Sequence, residues 1–170
     1  MTEIIIVNEQ NIEIGVKDRS LLVPEDIYRV SALWLSNSVG DVLLARRSPT
    51  KEINPGLWGP AVAGTLDAGE TYESNIIKET FEEIGLTITL GDITAGPLVR
   101  RVSSQSNYFG QWFFLKRDVS VNECVCAPHE VAEIAWFSES QLLEQLRDTP
   151  QKFVPGFGEW LPQLLAESGQ

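Results

Sequence analysis

Short runs of apolar residues separated by polar turns extend over most of the chain and predict β-strands. The first two runs, at 3–7 and 12–16, are joined by a polar segment, so we predict an N-terminal β-hairpin over residues 3–16. Further strands are predicted at 27–35, 42–45, 98–102, 107–116 and 131–137, with less regular strand character at 58–64, 87–90 and 119–129. A turn at 37–41 and a long loop at 46–57 separate some of these strands.

Helical spacing of apolar residues appears in three segments. The first begins after the N-cap Thr71 and ends at Gly85, with an inner face of Ile76, Ile77, Thr80, Phe81 and Ile84. Ser138 caps a second helix that runs to about Arg147, with Leu142, Leu143 and Leu146 on its inner face. A third helix is predicted at 157–167, where Pro162 favours a kink or a later start. Strands outnumber helices, which indicates an α/β fold with helices on both faces of a mixed sheet.

The first helix carries three acidic residues on one face. Glu79, Glu82 and Glu83 stand at i, i+3 and i+4, and side chains at these offsets are neighbours. A solvated acidic face is one interpretation of this cluster. The other is a divalent cation site, because Mg²⁺ prefers oxygen ligands and is usually shared between carboxylates and substrate phosphates.

The spacing around these glutamates resembles the Nudix box. That motif is Gly, five residues, Glu, seven residues, then Arg-Glu-aliphatic-any-Glu-Glu-any-Gly-aliphatic, and the matching residues are Gly64, Glu70, Glu79, Glu82, Glu83, Gly85 and Leu86. Lys78 replaces the arginine and Thr80 replaces an aliphatic residue. The resemblance implies a single Nudix hydrolase domain over 1–170, folded as an α/β/α sandwich with a mixed β-sheet and the box as a loop-helix-loop.

The resemblance also implies a role for each matching residue. Glu79, Glu82 and Glu83 would hold Mg²⁺, or Mn²⁺ as the alternative, and the Gly64 carbonyl is a further candidate ligand. Glu70 would orient the helix through Lys78, and these two complete the predicted catalytic set. The implied activity is Mg-dependent hydrolysis of a pyrophosphate bond in a nucleoside diphosphate derivative or similar small phosphorylated molecule. Lysine keeps the charge of arginine but cannot bind a carboxylate bidentately, so we expect metal binding to survive with either a lower rate or a less firmly held Glu70.

The segment RRSPTKEINPGLW before the box resembles the branch that contains isopentenyl-diphosphate isomerases and related hydrolases. Arg47 and Lys51 match positions that hold the diphosphate in the isomerases, and a solvated loop with two cations is the alternative. The isomerases also need a cysteine just before the box and several histidines. Residues 58–65 contain no cysteine and His129 is the only histidine, which argues against isomerase chemistry. A second hypothesis is a Nudix-like nucleotide-binding protein with weak catalysis, because Lys78 replaces the arginine of the box.

Glutamates and aromatic residues outside the box give further candidates. Glu130 or Glu133 could act as the general base, and solvated acids at a strand edge are the alternative. His129 is more typical of a surface histidine than of a base. Four aromatic residues either stack against a nucleobase or belong to the core: Trp34, Trp58, Tyr108 and Trp112.

Charge and composition limit the classes of partner. Among 170 residues, 13 are basic and 24 acidic, giving a formal net charge of −11, which argues against binding a nucleic-acid polymer. A phosphorylated substrate then needs a metal ion or local cations at the site. We expect a cytoplasmic protein without a signal peptide or membrane span, and a homodimer is left open. Cys124 and Cys126 are predicted to be free thiols.

Overall fold

A computed structural model describes residues 2–169 and contains nine strands and three α-helices in that range. The strands are β1 (Glu3–Val7), β2 (Glu13–Asp18), β3 (Ile27–Ser36), β4 (Val42–Arg47), β5 (Trp58–Pro60), β6 (Val62–Thr65), β7 (Ile93–Val102), β8 (Asn107–Lys116) and β9 (Val131–Phe137). The helices are α1 (Tyr72–Ile84), α2 (Glu139–Asp148) and α3 (Phe157–Ser168).

Strand β3 lies at the centre of a mixed sheet. It pairs in parallel with β8 along its whole length, from Tyr28 opposite Tyr108 to Ser36 opposite Lys116. Its other edge pairs antiparallel with β1, β6 and β4 in turn. Strand β2 extends the sheet beyond β1, β7 extends it beyond β8, and β4 also pairs with β5 and β9. Strand β3 therefore connects the hairpin β1–β2, the strand that precedes α1, and the C-terminal strands.

Alternating residues of β3 supply two cores on opposite faces of the sheet. Leu33 and Leu35 pack in a buried cluster with Ile76 of α1. Trp34 packs in a second cluster with residues of the other two helices, including Leu142 and Phe157. Because successive side chains of a strand point to opposite faces, α1 lies on one face and α2 and α3 on the other. This arrangement confirms the predicted α/β/α fold.

Local hydrogen bonds fix both ends of α1 where the sequence places them. The Thr71 hydroxyl accepts a hydrogen bond from the Ser74 amide at 3.1 Å, and the Ser74 hydroxyl accepts one from the Thr71 amide at 2.9 Å. Gly85 ends the helix in the left-handed conformation, with φ 70° and ψ 14°. The Thr80 hydroxyl donates to the Ile76 carbonyl one turn earlier, at 2.6 Å.

Two predicted inner-face residues are exposed instead. Phe81 is 61% exposed and Leu143 is 48% exposed, so their placement in the core was wrong. The buried stripe of α1 follows Ile76, Thr80, Glu83 and Ile84, which includes a carboxylate. Glu83 therefore lies on the buried face of α1, while Phe81 is exposed to solvent.

The connecting segments also differ from expectation. Residues 87–90 form no strand, because the Asp92 carboxylate accepts hydrogen bonds from the Thr89 amide and hydroxyl at 2.7 and 2.8 Å and closes a local turn. The range 119–129 contains a short 3-10 turn and no strand. Strand β7 begins at Ile93, earlier than predicted, and its register shifts between Ala95 and Leu98. Pro97 sits at that irregularity on an edge strand, where proline is tolerated.

Helix α3 begins at Phe157 and continues past Pro162, so the proline does not delay its start. The side chains of Phe157, Leu161 and Leu164 are buried on its inner face. Packing of this apolar face outweighs the hydrogen bond that the proline removes.

The predicted N-terminal hairpin is formed by β1 and β2. Ile12, Ile14 and Val16 on or next to β2 are 60%, 65% and 46% exposed.

Within residues 2–169, no helix has both the length and the hydropathy that a bilayer crossing requires. A homodimer stays a prediction.

Candidate active site

A cleft with a volume of about 410 Å³ opens beside α1. The acidic residues Glu79, Glu82 and Glu83 line it together with Gly64 of β6. The cations that line it are Arg19, Arg47, Lys51, Lys78 and Arg101. The fold therefore brings the predicted metal ligands and the predicted substrate-binding cations to one cavity, in a protein whose net charge is strongly negative.

Strand β6 and helix α1 lie close together at Gly64. A Cβ atom added to Gly64 would lie 2.3 Å from Cγ of Glu79, far inside van der Waals contact. Any side chain at this position would displace the glutamate from the cleft wall. The box glycine is thus explained by a close contact with α1.

Glu83 is a buried carboxylate, 8% exposed, at the inner end of the cleft. Burial raises its pKa to about 8, and the nearby charges of Glu79 and Glu130 act in the same direction. The one protein donor near it within residues 2–169 is the Ala63 amide, at 3.4 Å. This amide and the charge of Arg47 oppose the rise in pKa without cancelling it. The carboxyl is therefore largely protonated near neutral pH, and a cation in the cleft would favour its ionised form.

The donor set fits a hard divalent cation. Three carboxylates and a backbone carbonyl offer oxygen atoms, which Mg²⁺ and Mn²⁺ prefer, and neither a thiol nor an imidazole lines this cleft in residues 2–169. Within the same residues, no three acidic, histidine or cysteine side chains are already gathered as a cage for an ion. Mg²⁺ does not need such a cage, because it usually keeps several waters and shares its coordination with substrate phosphates.

Glu70 lies outside the cleft wall and contacts Lys78, as the box resemblance implies. The Lys78 ammonium is 2.7 Å from Oε1 of Glu70 and 3.0 Å from Oδ2 of Asp67. Burial raises the pKa of Glu70, but hydrogen bonds from Lys78, the Asp67 amide and Asn75 lower it overall. The pKa of Lys78 is raised, because its bonds to these acids outweigh its burial. Asp67 has no fixed place in the motif, so its contact with Lys78 could not be predicted from the motif.

Arg47 and Lys51 both line the cleft and have partners of their own. The Arg47 Nε donates to the Ile53 carbonyl at 3.0 Å, and the Lys51 ammonium is 2.6 Å from Oε2 of Glu130. Burial lowers the pKa of Arg47, and the neighbouring charges of Glu83 and Glu130 oppose the change. An arginine remains charged under ordinary conditions, so positive charge faces the acidic end of the cleft.

The structure separates the two candidate bases. Glu130 lines the cleft, whereas Glu133 pairs with Arg46 at 2.7 Å and does not line it. His129 lines a neighbouring cavity that shares Arg19 and Arg47 with the cleft but contains none of the box glutamates. Of the three, Glu130 alone lies in the same cavity as Glu83.

The aromatic candidates divide in the same way. Trp34 is 1% exposed and belongs to the core, and Trp58 packs edge-on against Phe137 with ring centroids 5.1 Å apart. Trp112 borders the cleft but is 2% exposed and packs in the core with Trp34, whereas Tyr108 lines the cleft. Trp160 of α3 also lines it, which the sequence did not indicate, because α3 reads only as an amphipathic helix.

Comparison with known proteins gives the family of this chain. Residues 27–157 match the sequence model of the NUDIX domain. The chain belongs to the Nudix family. An isopentenyl-diphosphate Delta-isomerase from Paenarthrobacter aurescens is 32% identical over 135 residues, covering 78% of this chain and 72% of the relative. An uncharacterised Nudix hydrolase from Listeria innocua is 28% identical over 136 residues, covering 80% of this chain and 77% of the relative.

The fold is similar to that of solved Nudix proteins. The crystal structure of DR0079 from Deinococcus radiodurans aligns with a TM-score of 0.75 at 24% identity and covers 99% of both chains. Together, these similarities confirm the predicted family and its isomerase-like branch, and the predicted enzyme class, a Nudix pyrophosphohydrolase.

The cysteines of this Nudix protein lie away from the cleft. Cys124 and Cys126 are free thiols, as predicted, and they pack against the core beneath α1. Neither lines the cleft. The similarity to an isomerase is therefore not accompanied by a thiol at the site.

Proposed function

We propose that this Nudix protein is a Mg²⁺-dependent hydrolase that cleaves a pyrophosphate bond in a nucleoside diphosphate derivative or a similar small phosphorylated molecule. The observation that carries the proposal is the buried Glu83 carboxylate beside Glu79, in a cleft that Arg47 and Lys51 also line. The carboxylates of the cleft favour a bound cation, and Arg47 and Lys51 favour a bound anion. A magnesium-bound diphosphate satisfies both.

Each residue has a defined task in this proposal. Glu79, Glu82 and Glu83 hold the ion, which supplies positive charge beside the phosphate oxygens when it is bound. Arg47 and Lys51 bind the phosphates and orient the scissile bond. Glu130 takes the proton from the attacking water, because it is the candidate base that lines the cleft. Lys51 lies 2.6 Å from Glu130 and holds that carboxylate in place.

Isopentenyl-diphosphate isomerisation is the second candidate, favoured by the 32% identity to an isomerase. Against it stands the absence of a cysteine or histidine from the cleft wall within residues 2–169. An isomerisation assay with isopentenyl diphosphate decides the matter directly.

The proposal is tested by incubating the purified protein with a panel of nucleoside diphosphate derivatives and isoprenoid diphosphates and measuring phosphate-containing products. We expect turnover with Mg²⁺ or Mn²⁺, loss of turnover with a chelator, and recovery when the ion is restored. Bound nucleotide without turnover of any substrate would favour a binding protein instead. Formation of the allylic isomer without hydrolysis would favour the second candidate.

Arg47→Ala should weaken substrate binding more than it slows chemistry. Loss of a charged hydrogen-bond donor to phosphate should raise KM about tenfold or more, while kcat changes less. Arg46→Ala is the matched control, because Arg46 precedes Arg47 in β4 but pairs with Glu133 away from the cleft. Steady-state kinetics of both variants measure the difference. Equal KM values for the two would contradict the assignment of Arg47.

A further inference from the structure

Asn75 is a fully buried polar residue in the first half of α1. Its side-chain carbonyl accepts a hydrogen bond from the Ser31 hydroxyl of β3. Its side-chain nitrogen Nδ2 lies 2.8 Å from Oε2 of Glu70, 3.2 Å from the Thr65 carbonyl and 3.4 Å from Oε1 of Glu79. One amide group thus contacts the central strand, the strand before the box, the box loop and the face of α1 that lines the cleft.

Asn75 and Lys78 contact different oxygen atoms of the Glu70 carboxylate. The Lys78 ammonium is 2.7 Å from Oε1, and the Asn75 amide nitrogen is 2.8 Å from Oε2. An arginine at position 78 could contact both oxygens with its planar fork, whereas the lysine ammonium acts as a single point charge. The box motif leaves position 75 open, so the motif itself gives no role to Asn75.

We propose that Asn75 is a positioning residue. Its amide holds the Glu70 oxygen that Lys78 does not contact and aligns Glu79, and so compensates for lysine at the arginine position of the box. Its consequence for catalysis rests on the proposed function. The amide donates to both carboxylates, beside the Lys78 ammonium, which is 2.7 Å from Glu70 and 3.6 Å from Glu79. Within residues 2–169, an apolar side chain at position 75 would leave the lysine as the one side chain that holds the two carboxylates together. Because Nδ2 also donates to the Thr65 carbonyl, the amide nitrogen is held facing Glu70 and Glu79, which keep their positions in the absence of the arginine fork.

A purely structural role for Asn75 makes a different prediction. Ser31→Ala removes the buried Ser31–Asn75 hydrogen bond from its other end but leaves the amide contacts to Glu70 and Glu79 in place. It is therefore the matched control for the loss of a buried hydrogen bond. If Asn75 only stabilises the fold, Ser31→Ala and Asn75→Ala should reduce activity in proportion to their loss of stability.

The first experiment compares Asn75→Ala and Ser31→Ala in the full chain, well below the melting temperature of each. For Asn75→Ala we expect kcat to fall roughly tenfold with little change in KM, and the affinity for Mg²⁺ measured by calorimetry without substrate to fall by a similar factor, a typical size for a partner of a metal ligand. For Ser31→Ala we expect kcat and the affinity for Mg²⁺ to stay within about threefold of the wild-type values, since the Asn75 side-chain amide still donates to Glu70 and Glu79. Equal losses in the two variants would overturn the proposal.

The second experiment asks whether an arginine at position 78 makes Asn75 unnecessary. In the Lys78→Arg background, Asn75→Ala should reduce Mg²⁺ affinity and kcat by less than about threefold, because the fork can hold both oxygens of Glu70. An unchanged penalty in that background would overturn the compensation. If the wild-type protein hydrolyses nothing, the proposed function fails, and the calorimetric comparison still decides the role of Asn75.

Discussion

Glu83→Gln should lower the rate of hydrolysis at least about 10²-fold, the size typical of losing one electrostatic group at an active site. The glutamine keeps the shape of the side chain but removes the charge that we propose binds the ion. The fold should stay intact, because the neutral glutamine is not repelled by Glu79 and Glu130 and creates no cavity. The variant should also lose the rise in melting temperature that Mg²⁺ gives the wild-type protein, which thermal unfolding with and without the ion measures.

Glu73→Gln is the control for this prediction. Glu73 lies on the same helix, in its first turn, but it is exposed and does not line the cleft. It should keep both the wild-type rate and the magnesium-dependent rise in melting temperature. Wild-type-like turnover in Glu83→Gln, with the same magnesium response, would contradict the metal assignment.

Gly64→Ala should reduce turnover by about 10²-fold, because shifts of about 1 Å in a reacting group can cost this much. The new methyl group would lie 2.3 Å from Cγ and 2.5 Å from Cδ of Glu79, so the glutamate must leave its present position. Steady-state kinetics and calorimetry with Mg²⁺ measure the effect, and both kcat and the affinity for the ion should fall.

Gly91→Ala provides the comparison for the added methyl group. Gly91 has an ordinary backbone conformation, and a Cβ atom there would meet only the Thr89 hydroxyl oxygen, at 3.8 Å. Its activity should match that of the wild type. If Gly64→Ala keeps both its rate and its magnesium affinity, then the contact between β6 and α1 does not position Glu79.

Local patterns in the sequence were sufficient for much of the fold. Strands β8 and β9 have the predicted bounds, and α1 begins after Thr71 and ends at Gly85 as expected. These features depend on residues that are close in sequence, such as the cap of Thr71 by Ser74. The predictions that failed have two causes. The strand at 87–90 was predicted because the local turn between Thr89 and Asp92 was not recognised, and Phe81 was placed in the core on helical spacing. Helical spacing alone cannot tell which of two adjacent stripes meets a sheet.

The sequence by itself determined that three carboxylates lie on one helical face between two correctly placed caps, and that Lys78 stands where the family has arginine. These are consequences of helix periodicity and of spacing in the chain. Only the tertiary structure decided that Glu83 is buried, that Glu130 reaches Lys51 across a separation of 79 residues, and that Asn75 joins Ser31 to Glu70. Such contacts depend on how strands pair and helices pack, and no local pattern records which distant residues will meet.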